Sequence, residues 1–297
     1  MTAGALQNTT AGSVPRTTSE RIARSVSSSP VHIVLGIIGL IWILPSVGLL
    51  ITSFRPSSDM RASGWWTVFT DPNFTLANYQ RVFEGEGMGS AFLNSIFITV
   101  PSTLIPLVVA ALAAFALAWV RFPFRDTIFL IIIGLMLVPV QIGFIPLVQG
   151  LRPTGLLTNF GAIWLTHAAY ALPFGIFLLR NFFITLPKDL IEAARIDGAS
   201  NLGIFRTIVV PLSVPAIASL GIFQFLWTWN DLLMSLVYVQ SNAAQPMPVK
   251  ITQLLGTYAS EWSLLAAASF LVMVVPLIVF FSLQRYFVQG LLAGSVK

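Results

Sequence analysis

The chain has 297 residues, of which 56% are hydrophobic and only 9% are charged, and its mean hydropathy is +0.84. This composition excludes an ordinary water-soluble domain, because a globule of this size could not bury so much apolar surface. The formal net charge of +5 would suit a nucleic-acid partner, but the basic residues are spread over separate loops, so no nucleic-acid partner is expected. The absence of cysteine excludes a disulfide framework and a cysteine metal site.

Residues 1–30 are rich in Ser and Thr and lack apolar periodicity, which predicts a disordered tail followed by a membrane domain over 31–297. The apolar run from Ile33 to Phe54 comes next. A secretory signal would have an apolar core of about 7–15 residues and a small-residue cleavage site. This run is longer and continues into Arg55-Pro56, so we interpret it as an uncleaved first span.

Six segments are long and apolar enough to cross a bilayer, which takes about 20 residues. They cover residues 33–54, 91–119, 127–149, 160–183, 207–237 and 262–284. Strands of a membrane barrel need only about 9–11 alternating residues, so these segments predict helices instead. The predicted fold is an all-α integral membrane protein with six transmembrane helices.

The basic residues indicate the orientation of these spans. Eleven of the sixteen Lys and Arg residues lie in the N-terminal tail, the second-to-third loop, the fourth-to-fifth loop and the C-terminal tail. The alternate loops hold the other five. Because cytoplasmic loops carry the excess of basic residues, both termini are predicted to be cytoplasmic.

The predicted spans contain several prolines, each of which leaves one backbone carbonyl without its helical partner. These are Pro101, Pro106, Pro139, Pro146, Pro173, Pro211, Pro215 and Pro276. A freed carbonyl is tolerated where a neighbouring helix or a water-filled cavity satisfies it, which favours kinked helices around a pathway. The alternative is that proline is simply common in membrane helices, and the sequence leaves both interpretations open.

Polar residues are rare within the spans, so each is a candidate for function. Gln224, Trp227, Asn230 and Asp231 could form a helical face on which a sugar ring stacks and hydrogen-bonds. The alternative is packing between helices, which we favour for Asp231, and interface anchoring for Trp227. His167 has no companion at ligand spacing and is interpreted as a core histidine, so no metal site and no catalytic residue are predicted.

Residues 187–211 concentrate charges that the membrane centre would not tolerate, since each costs about 2.5–3.5 kcal/mol there. This segment is predicted to lie outside the bilayer as two short helices. Pro187 suits the first turn of the first helix, Gly198 suits a stop with positive φ, and Ser200 suits the N-cap of the second. Leu190, Ala193 and Ala194 share one face of the first helix, which could fit a groove on a partner protein or lie on lipid.

The same segment resembles the EAA motif of ABC importer permeases. Glu192-Ala193-Ala194 is followed after three residues by Gly198, after nine more by Ile208, and after one more by Val210-Pro211, with Val210 in place of the usual Leu. Phe74 to Tyr79 and Trp229-Asn230-Asp231 are also similar to the carbohydrate-uptake branch, in particular to maltose and α-glucoside permeases. The resemblance extends over most of the chain.

The resemblance implies a permease subunit in a bacterial cytoplasmic membrane that imports an α-glucoside or another di- or oligosaccharide. Its expected partners are a second permease, two ATP-binding subunits that hold ATP and Mg, and an extracytoplasmic sugar-binding protein. The loop around 185–206 would contain the coupling helix that contacts the ATPase, through Glu192, Ala193, Ala194, Arg195, Asp197 and Gly198. The outer loop would contact the binding protein through Pro246, Met247, Pro248, Val249 and Lys250.

An ion-coupled secondary transporter of small polar solutes is the alternative function. Such a transporter needs coupling-ion sites and usually contains inverted repeats. The spans offer one carboxylate, Asp231, and no convincing repeat. The chain also lacks a GxxxxGK[ST] phosphate loop, so it is predicted to be a transport subunit and not an enzyme.

Overall fold

The structure is a computed structural model that describes the backbone of residues 18–293 and the side chains of residues 30–285. Helix α1 covers Thr18–Phe54, and its part from Pro30 to Phe54 is the first candidate span. This helix begins inside the segment 1–30 that the sequence predicts to be a disordered tail. Residues 1–17 lie outside the described range, so for them the tail stays a prediction.

A segment of short helices follows α1: α2 (Ser57–Ala62), a 3-10 turn (Trp65–Phe69), α3 (Ala77–Gln80) and a π-helical turn (Arg81–Gly85). Asn78 holds it in place, because its Nδ2 donates to the carbonyl oxygens of Ser53 at 2.9 Å and Arg55 at 2.8 Å. The buried guanidinium of Arg55 donates in turn to Thr67 Oγ1 at 2.8 Å. These bonds attach α3 and the 3-10 turn to the residues at the end of α1.

Helix α4 (Met88–Trp119) is a continuous span. The third predicted span, 127–149, is instead divided into α5 (Arg125–Leu135) and α6 (Phe144–Leu151). The helical segment Val140–Thr154, which includes α6, is bent by 92° relative to α5. Pro139 lies in the break, where it disfavours helical backbone for the preceding Val138. A 3-10 turn (Val140–Gly143) leads into α6, and α7 (Gly161–Phe183) is again continuous.

The charged segment forms α8 (Lys188–Ile196) and α9 (Asn201–Ile204), followed by a π-helical turn (Phe205–Val209) and α10 (Val210–Leu212). The chain bends by 79° at Ser213, between Pro211 and Pro215, before α11 (Val214–Trp229). The predicted fifth span, 207–237, is therefore not one helix: it bends early and ends at Trp229. After the break come α12 (Leu233–Tyr238), α13 (Met247–Thr257) and α14 (Trp262–Ala293).

The described part of the chain has four continuous candidate spans, and six if each bent pair counts as one span. This agrees with the six membrane helices predicted from the sequence. Helix α4 packs against α7 and α11, and α11 packs against α14. Small residues permit this close packing: a Cβ on Gly175 of α7 would lie 3.0 Å from the Cβ of Ala110 on α4.

Three of the carbonyls that prolines leave free accept hydrogen bonds from side chains of neighbouring helices. Trp164 Nε1 donates to Phe97 O at 2.8 Å, four residues before Pro101. Gln224 Nε2 donates to Ser102 O at 3.2 Å, four residues before Pro106, and Trp229 Nε1 donates to Val272 O at 3.0 Å, four residues before Pro276. The predicted requirement for external hydrogen-bond partners is confirmed at these three prolines.

Candidate functional site

Helix α8 ends in the way that its sequence predicts. Gly198 has φ 82°, the N–H of Ala199 donates to Ala194 O at 2.9 Å, and the N–H of Gly198 donates to Arg195 O at 3.1 Å. Together these are the bonds of a Schellman motif. The Ser200 hydroxyl then accepts from the N–H of Gly203 at 3.1 Å and caps α9, so the predicted stop and cap are both confirmed.

One side of α8 packs on the bundle and the other is exposed. Ile191 is fully buried and Ala194 packs against the same core cluster, which joins α4, α7 and α11. Leu190 and Ala193 are exposed, as is Ile196, whose side chain is 85% exposed. The predicted apolar face of Leu190, Ala193 and Ala194 is therefore wrong for Ala194, since residue 194 lies on the inward side of the helix.

Most charged residues of α8 surround this exposed apolar surface. Lys188, Asp189, Glu192 and Asp197 are all exposed. Arg195 is exposed as well, but its Nη2 donates to the carbonyl oxygen of Trp119 at 2.6 Å, at the end of α4. The helix thus offers apolar atoms with a charged border, while Arg195 binds within the chain.

A cavity of about 290 Å³ lies between α7 and α11, and Val140 and Met234 also line it. This volume is at the lower end of the range of ligand sites, which are mostly apolar with a few polar groups. The cavity is lined by Val140, His167, Tyr170, Ala171, Phe174, Phe223, Gln224, Trp227 and Met234. Its aromatic walls and its amide, imidazole and phenol groups form a surface that suits a sugar ring.

Two of the four residues predicted for the substrate pathway, Gln224 and Trp227, line this cavity. Trp227 is 63% exposed, so much of its indole remains available to a ligand. Asn230 does not line it: its Nδ2 donates to Leu226 O at 2.9 Å, within its own helix. The prediction that these residues contact a solute stays a prediction.

Asp231 lies in the break between α11 and α12, not well inside a span as the sequence suggested. Its carboxylate accepts the N–H groups of Met234 at 3.3 Å and Ser235 at 3.0 Å, and so caps α12. His167 Nε2 lies 3.6 Å from the same carboxylate. These contacts are those of the packing interpretation, and no group of three metal-binding side chains occurs among the described residues.

Sequence reasoning missed the contribution of α7 to the cavity. His167, Tyr170, Ala171 and Phe174 follow the spacing i, i+3, i+4, i+7, which places them on one face of the helix. In a span that is apolar on all sides, this stripe does not stand out. The signal that could have found it is the combination of imidazole and phenol groups along one face.

The outer loop does not present all of its predicted residues to a partner. Pro246, Met247 and Val249 are buried, and the N–H of Met247 donates to Ser95 Oγ at 2.9 Å. Pro248 and Lys250 are half-buried. The exposed surface of α13 comes later, at Thr252, Gln253, Leu255, Gly256 and Thr257.

Arg81 binds the short connection between α13 and α14. Its Nη1 lies 2.7 Å from a carboxylate oxygen of Glu261, and its guanidinium lies 5.0 Å from the centre of the Tyr258 ring. The hydrogen bond to Glu261 raises the pKa of Arg81 above its ordinary value, so the guanidinium remains charged. The α13–α14 connection is thereby attached to the segment of short helices before α4.

The family model described as "Binding-protein-dependent transport system inner membrane component" matches residues 107–292, which include α8, α9 and the residues that line the cavity. The chain belongs to this family. It is a membrane-embedded permease subunit of an ABC importer, and its role is transport rather than catalysis.

Similar proteins agree with this membership. The osmoprotective compounds uptake permease protein of Synechocystis sp. is 52% identical, over 90% of this chain and 92% of its own. The alpha-glucoside transport system permease protein of Rhizobium meliloti is 47% identical, over 82% of this chain and 68% of its own. A chain in the crystal structure of a bacterial ABC transporter for the acidic polysaccharide alginate has the same fold, with a TM-score of 0.74, 24% identity, and coverage of 93% of this chain and 100% of that one.

Proposed function

We propose that this chain pairs with a second permease and imports a neutral sugar or sugar-like solute, driven by two ATP-binding subunits on the cytoplasmic side. ATP and Mg would be bound by those subunits. An extracytoplasmic binding protein would deliver the solute at the opposite face of a bacterial cytoplasmic membrane. The positive-inside distribution supports cytoplasmic termini and a cytoplasmic α8.

The observation that carries the proposal is the surface of α8. Leu190, Ala193 and Ile196 are exposed next to Glu192 and Asp197, while Ile191 anchors the helix to the bundle. The three neighbouring exposed apolar residues support a protein contact here, because their burial in an interface would stabilise a complex. ATP-driven closure of the partner subunits would move α8 and, through Ile191, the spans behind it.

The outer face supports a contact with the binding protein through a different surface from the one that the sequence suggested. Three of the five residues at 246–250 are buried. The exposed side of α13, around Gln253 and Leu255, together with the exposed residues 259–260, would make the contact instead. Arg81 and Glu261 hold this surface in position.

The solute is proposed to be an uncharged polyhydroxylated molecule, with an α-linked glucoside as the leading candidate. The cavity supports this class, because aromatic side chains stack on sugar rings while Gln224 and Tyr170 offer hydrogen-bonding groups. The relatives named for alpha-glucosides and for osmoprotective compounds also support it. A glycerol-linked sugar is the second candidate.

The test is reconstitution of the full importer in lipid vesicles with ATP enclosed. Uptake would be measured for an α-linked disaccharide, a glucosylated glycerol, a free hexose and a charged sugar acid, each loaded on the cognate binding protein. We expect uptake of one of the first two, together with ATP hydrolysis that the loaded binding protein stimulates. Uptake that proceeds without ATP and follows an ion gradient would support the secondary transporter instead.

Docking through α8 is tested separately with Ile196→Asp, which places a charge on the exposed apolar surface. This variant should leave the permease folded and reduce co-purification of the ATP-binding subunit. Phe69→Asp serves as the matched control, because Phe69 is also an exposed apolar residue (80%) and lies outside the candidate spans, in the 3-10 turn between α2 and α3. Equal recovery of the ATP-binding subunit with wild type and Ile196→Asp would refute docking through this surface.

A further inference from the structure

Gln224 connects the cavity to α4. Its Nε2 donates to Ser102 O at 3.2 Å and to Thr228 Oγ1 at 3.2 Å, while the same side chain lines the cavity. Because an amide nitrogen carries two hydrogens, both of its donors are used by these bonds. Ser102 O is the carbonyl that Pro106 leaves free, so the bond from Gln224 acts on one of the two turns of α4 where a proline interrupts the backbone ladder.

Arg195 connects the coupling helix to the other end of the same span. Its Nη2 donates at 2.6 Å to the carbonyl oxygen of Trp119, the last residue of α4, and the chain becomes extended at Val120. The C-terminal carbonyls of a helix carry partial negative charge and favour a guanidinium. Ile191 and Ala194 pack on the same core cluster, so α8 is attached to α4 by both contact and hydrogen bond.

From Pro106 to its end at Trp119, α4 is an uninterrupted helix. Ser102 and Trp119 are 17 residues apart, which corresponds to about 25 Å along the axis. This part of α4 packs against α7 and α11 through small residues such as Ala110 and Ala114, which are fully buried. A packed helix of this kind moves as a unit, whereas the turn at Pro106 can bend because it lacks a backbone bond.

We propose that α4 transmits movement between the coupling helix and the cavity, with Arg195 and Gln224 as the positioning residues at its two contacts. This inference rests on the proposed function, because it assumes that the ATP-binding subunits move α8. Arg195 pulls on the end of α4 when α8 moves, and Gln224 stabilises the turn at Pro106, which lacks a backbone hydrogen bond. A solute hydroxyl in the cavity competes for the amide of Gln224 and so changes the geometry of this turn, and α4 transmits the change to α8.

Arg195 would have a role different from that of the other exposed residues of α8, because it binds the end of α4. If Arg195 instead contacted the ATP-binding subunit, its loss would weaken assembly. If it served only to stabilise the fold, its loss would lower the thermal stability without changing the coupling between transport and ATP hydrolysis. The proposal expects an assembled and stable importer that hydrolyses ATP with a reduced response to solute.

The experiment uses the complete importer in nanodiscs with wild type, Arg195→Met, Arg195→Lys, Gln224→Met and the double variant Arg195→Met/Gln224→Met. Methionine keeps the length of each side chain and removes its donors, and lysine keeps one donor group for Trp119 O. Trp164→Phe is the matched control, because it removes a bond to another proline-freed carbonyl of α4 but lies outside the cavity. Recovery of the ATP-binding subunit, thermal stability, basal ATP hydrolysis and stimulation by loaded binding protein are measured for each.

We expect stimulation by the loaded binding protein to fall about fivefold or more in Arg195→Met and in Gln224→Met, with full recovery of the ATP-binding subunit. Arg195→Lys should retain part of the stimulation that Arg195→Met loses. Stimulation in the double variant should fall no further than in the more affected single variant, because both residues act through α4. Trp164→Phe should keep the wild-type ratio of stimulated to basal hydrolysis.

Three results would overturn the inference: unchanged stimulation in Arg195→Met, loss of the ATP-binding subunit in that variant, or independent multiplying effects in the double variant. An equal loss of stimulation in Trp164→Phe would also overturn it, since the effect would then be one of general stability. A wild-type importer that shows no stimulation by any loaded binding protein would instead refute the proposed function.

Discussion

Trp164 donates its indole N–H to the carbonyl oxygen of Phe97 at 2.8 Å, and this carbonyl is the one that Pro101 removes from the helical ladder of α4. The bond joins α7 to α4 at the point where α4 would otherwise expose an unpaired backbone group. In hydrocarbon such a group has no water to bind, so the neighbouring helix has to supply the donor.

The first prediction concerns this bond. Trp164→Phe keeps an aromatic ring but removes the donor, and we expect it to lower the stability of the permease by about 1 kcal/mol. The measurement is the thermal unfolding midpoint of the detergent-solubilised importer. Trp66→Phe changes a tryptophan that is 62% exposed and should leave the midpoint unchanged. Equal midpoints for the two variants would mean that Phe97 O finds another partner.

Gly198 is the basis of the second prediction. Its φ of 82° costs other residues about 1–2 kcal/mol, but nothing in this chain lies within 4 Å of a Cβ placed there. Gly198→Asn should therefore be nearly neutral, since asparagine adopts this conformation readily, whereas Gly198→Ala should be mildly destabilising. Gly198→Leu adds bulk toward the partner and should reduce ATP hydrolysis stimulated by the binding protein.

The comparison among these three variants separates backbone strain from contact with the ATP-binding subunit. Stimulated hydrolysis and recovery of the ATP-binding subunit are measured for each. If Gly198→Ala and Gly198→Leu lower stimulated hydrolysis equally, backbone strain alone explains the loss. If Gly198→Leu behaves like wild type, residue 198 is neither strained nor in contact with the ATP-binding subunit.

The sequence predicted α8 and α9 well because their boundaries are encoded locally. Pro187, Gly198 and Ser200 each act on backbone groups within a few residues, so their roles do not depend on the rest of the fold. The motif from Glu192 to Pro211 then identified the family. The number of spans could also be predicted from the sequence, because it depends on the length and hydropathy of each segment.

The bends and the cavity could not be predicted from the sequence in this way. Periodicity reports that a segment is apolar but does not report the 92° change of direction between α5 and the helical segment Val140–Thr154. Asp231 was placed inside a span because its neighbours are apolar, yet it caps α12 after a break. The cavity requires α7 and α11 to be adjacent, which is a property of the tertiary packing and not of either segment.

The third prediction tests the orientation. The chain contains no cysteine, so single cysteines can be labelled without background. Ile196→Cys, whose native side chain is 85% exposed, and Ser260→Cys, in an exposed connection, lie at the positions predicted to face opposite sides. A membrane-impermeant maleimide applied to right-side-out membrane vesicles should label Ser260→Cys and leave Ile196→Cys unlabelled until the membrane is opened. The reverse pattern would place α8 outside the cell.

The fourth prediction concerns pH. The Tyr79 hydroxyl lies 2.7 Å from Ser53 Oγ, and burial raises the pKa of Tyr79 above its ordinary value of 10.0, although the Ser53 bond partly opposes this. Below pH 10 the tyrosine is protonated in both the folded and the unfolded chain, so its contribution to stability is fully present. Above that value the unfolded chain releases the proton first, and stability falls as pH rises toward the folded-state pKa.

Tyr79→Phe removes this titration. The difference in unfolding midpoint between wild type and variant should be constant from about pH 8 to pH 9 and should shrink toward about pH 11. Thermal unfolding of the detergent-solubilised importer at each pH provides the measurement. A difference that does not change with pH would show that Tyr79 titrates at the same pH in the folded and unfolded chains.

The fifth prediction distinguishes the solute pathway from packing at the end of α11. Trp227 lines the cavity and is 63% exposed, so Trp227→Ala should leave the unfolding midpoint nearly unchanged and lower solute uptake about three- to tenfold. Trp262→Ala, at a tryptophan that is 64% exposed but outside the cavity, is the control for loss of an indole. Unchanged uptake in Trp227→Ala would remove the tryptophan from the pathway and leave interface anchoring as its role.

Substitution of Asp231, in contrast to that of Trp227, should lower stability more than uptake. Asp231→Ala removes the acceptor for the N–H groups of Met234 and Ser235 and should lower stability by about 1 kcal/mol, while Asp231→Asn keeps an oxygen at the cap and should be milder. If uptake by Asp231→Asn also remains close to wild type, the carboxylate serves to position α12 at the cavity wall. A loss of uptake in Asp231→Asn at unchanged stability would instead show that the solute depends on the charge.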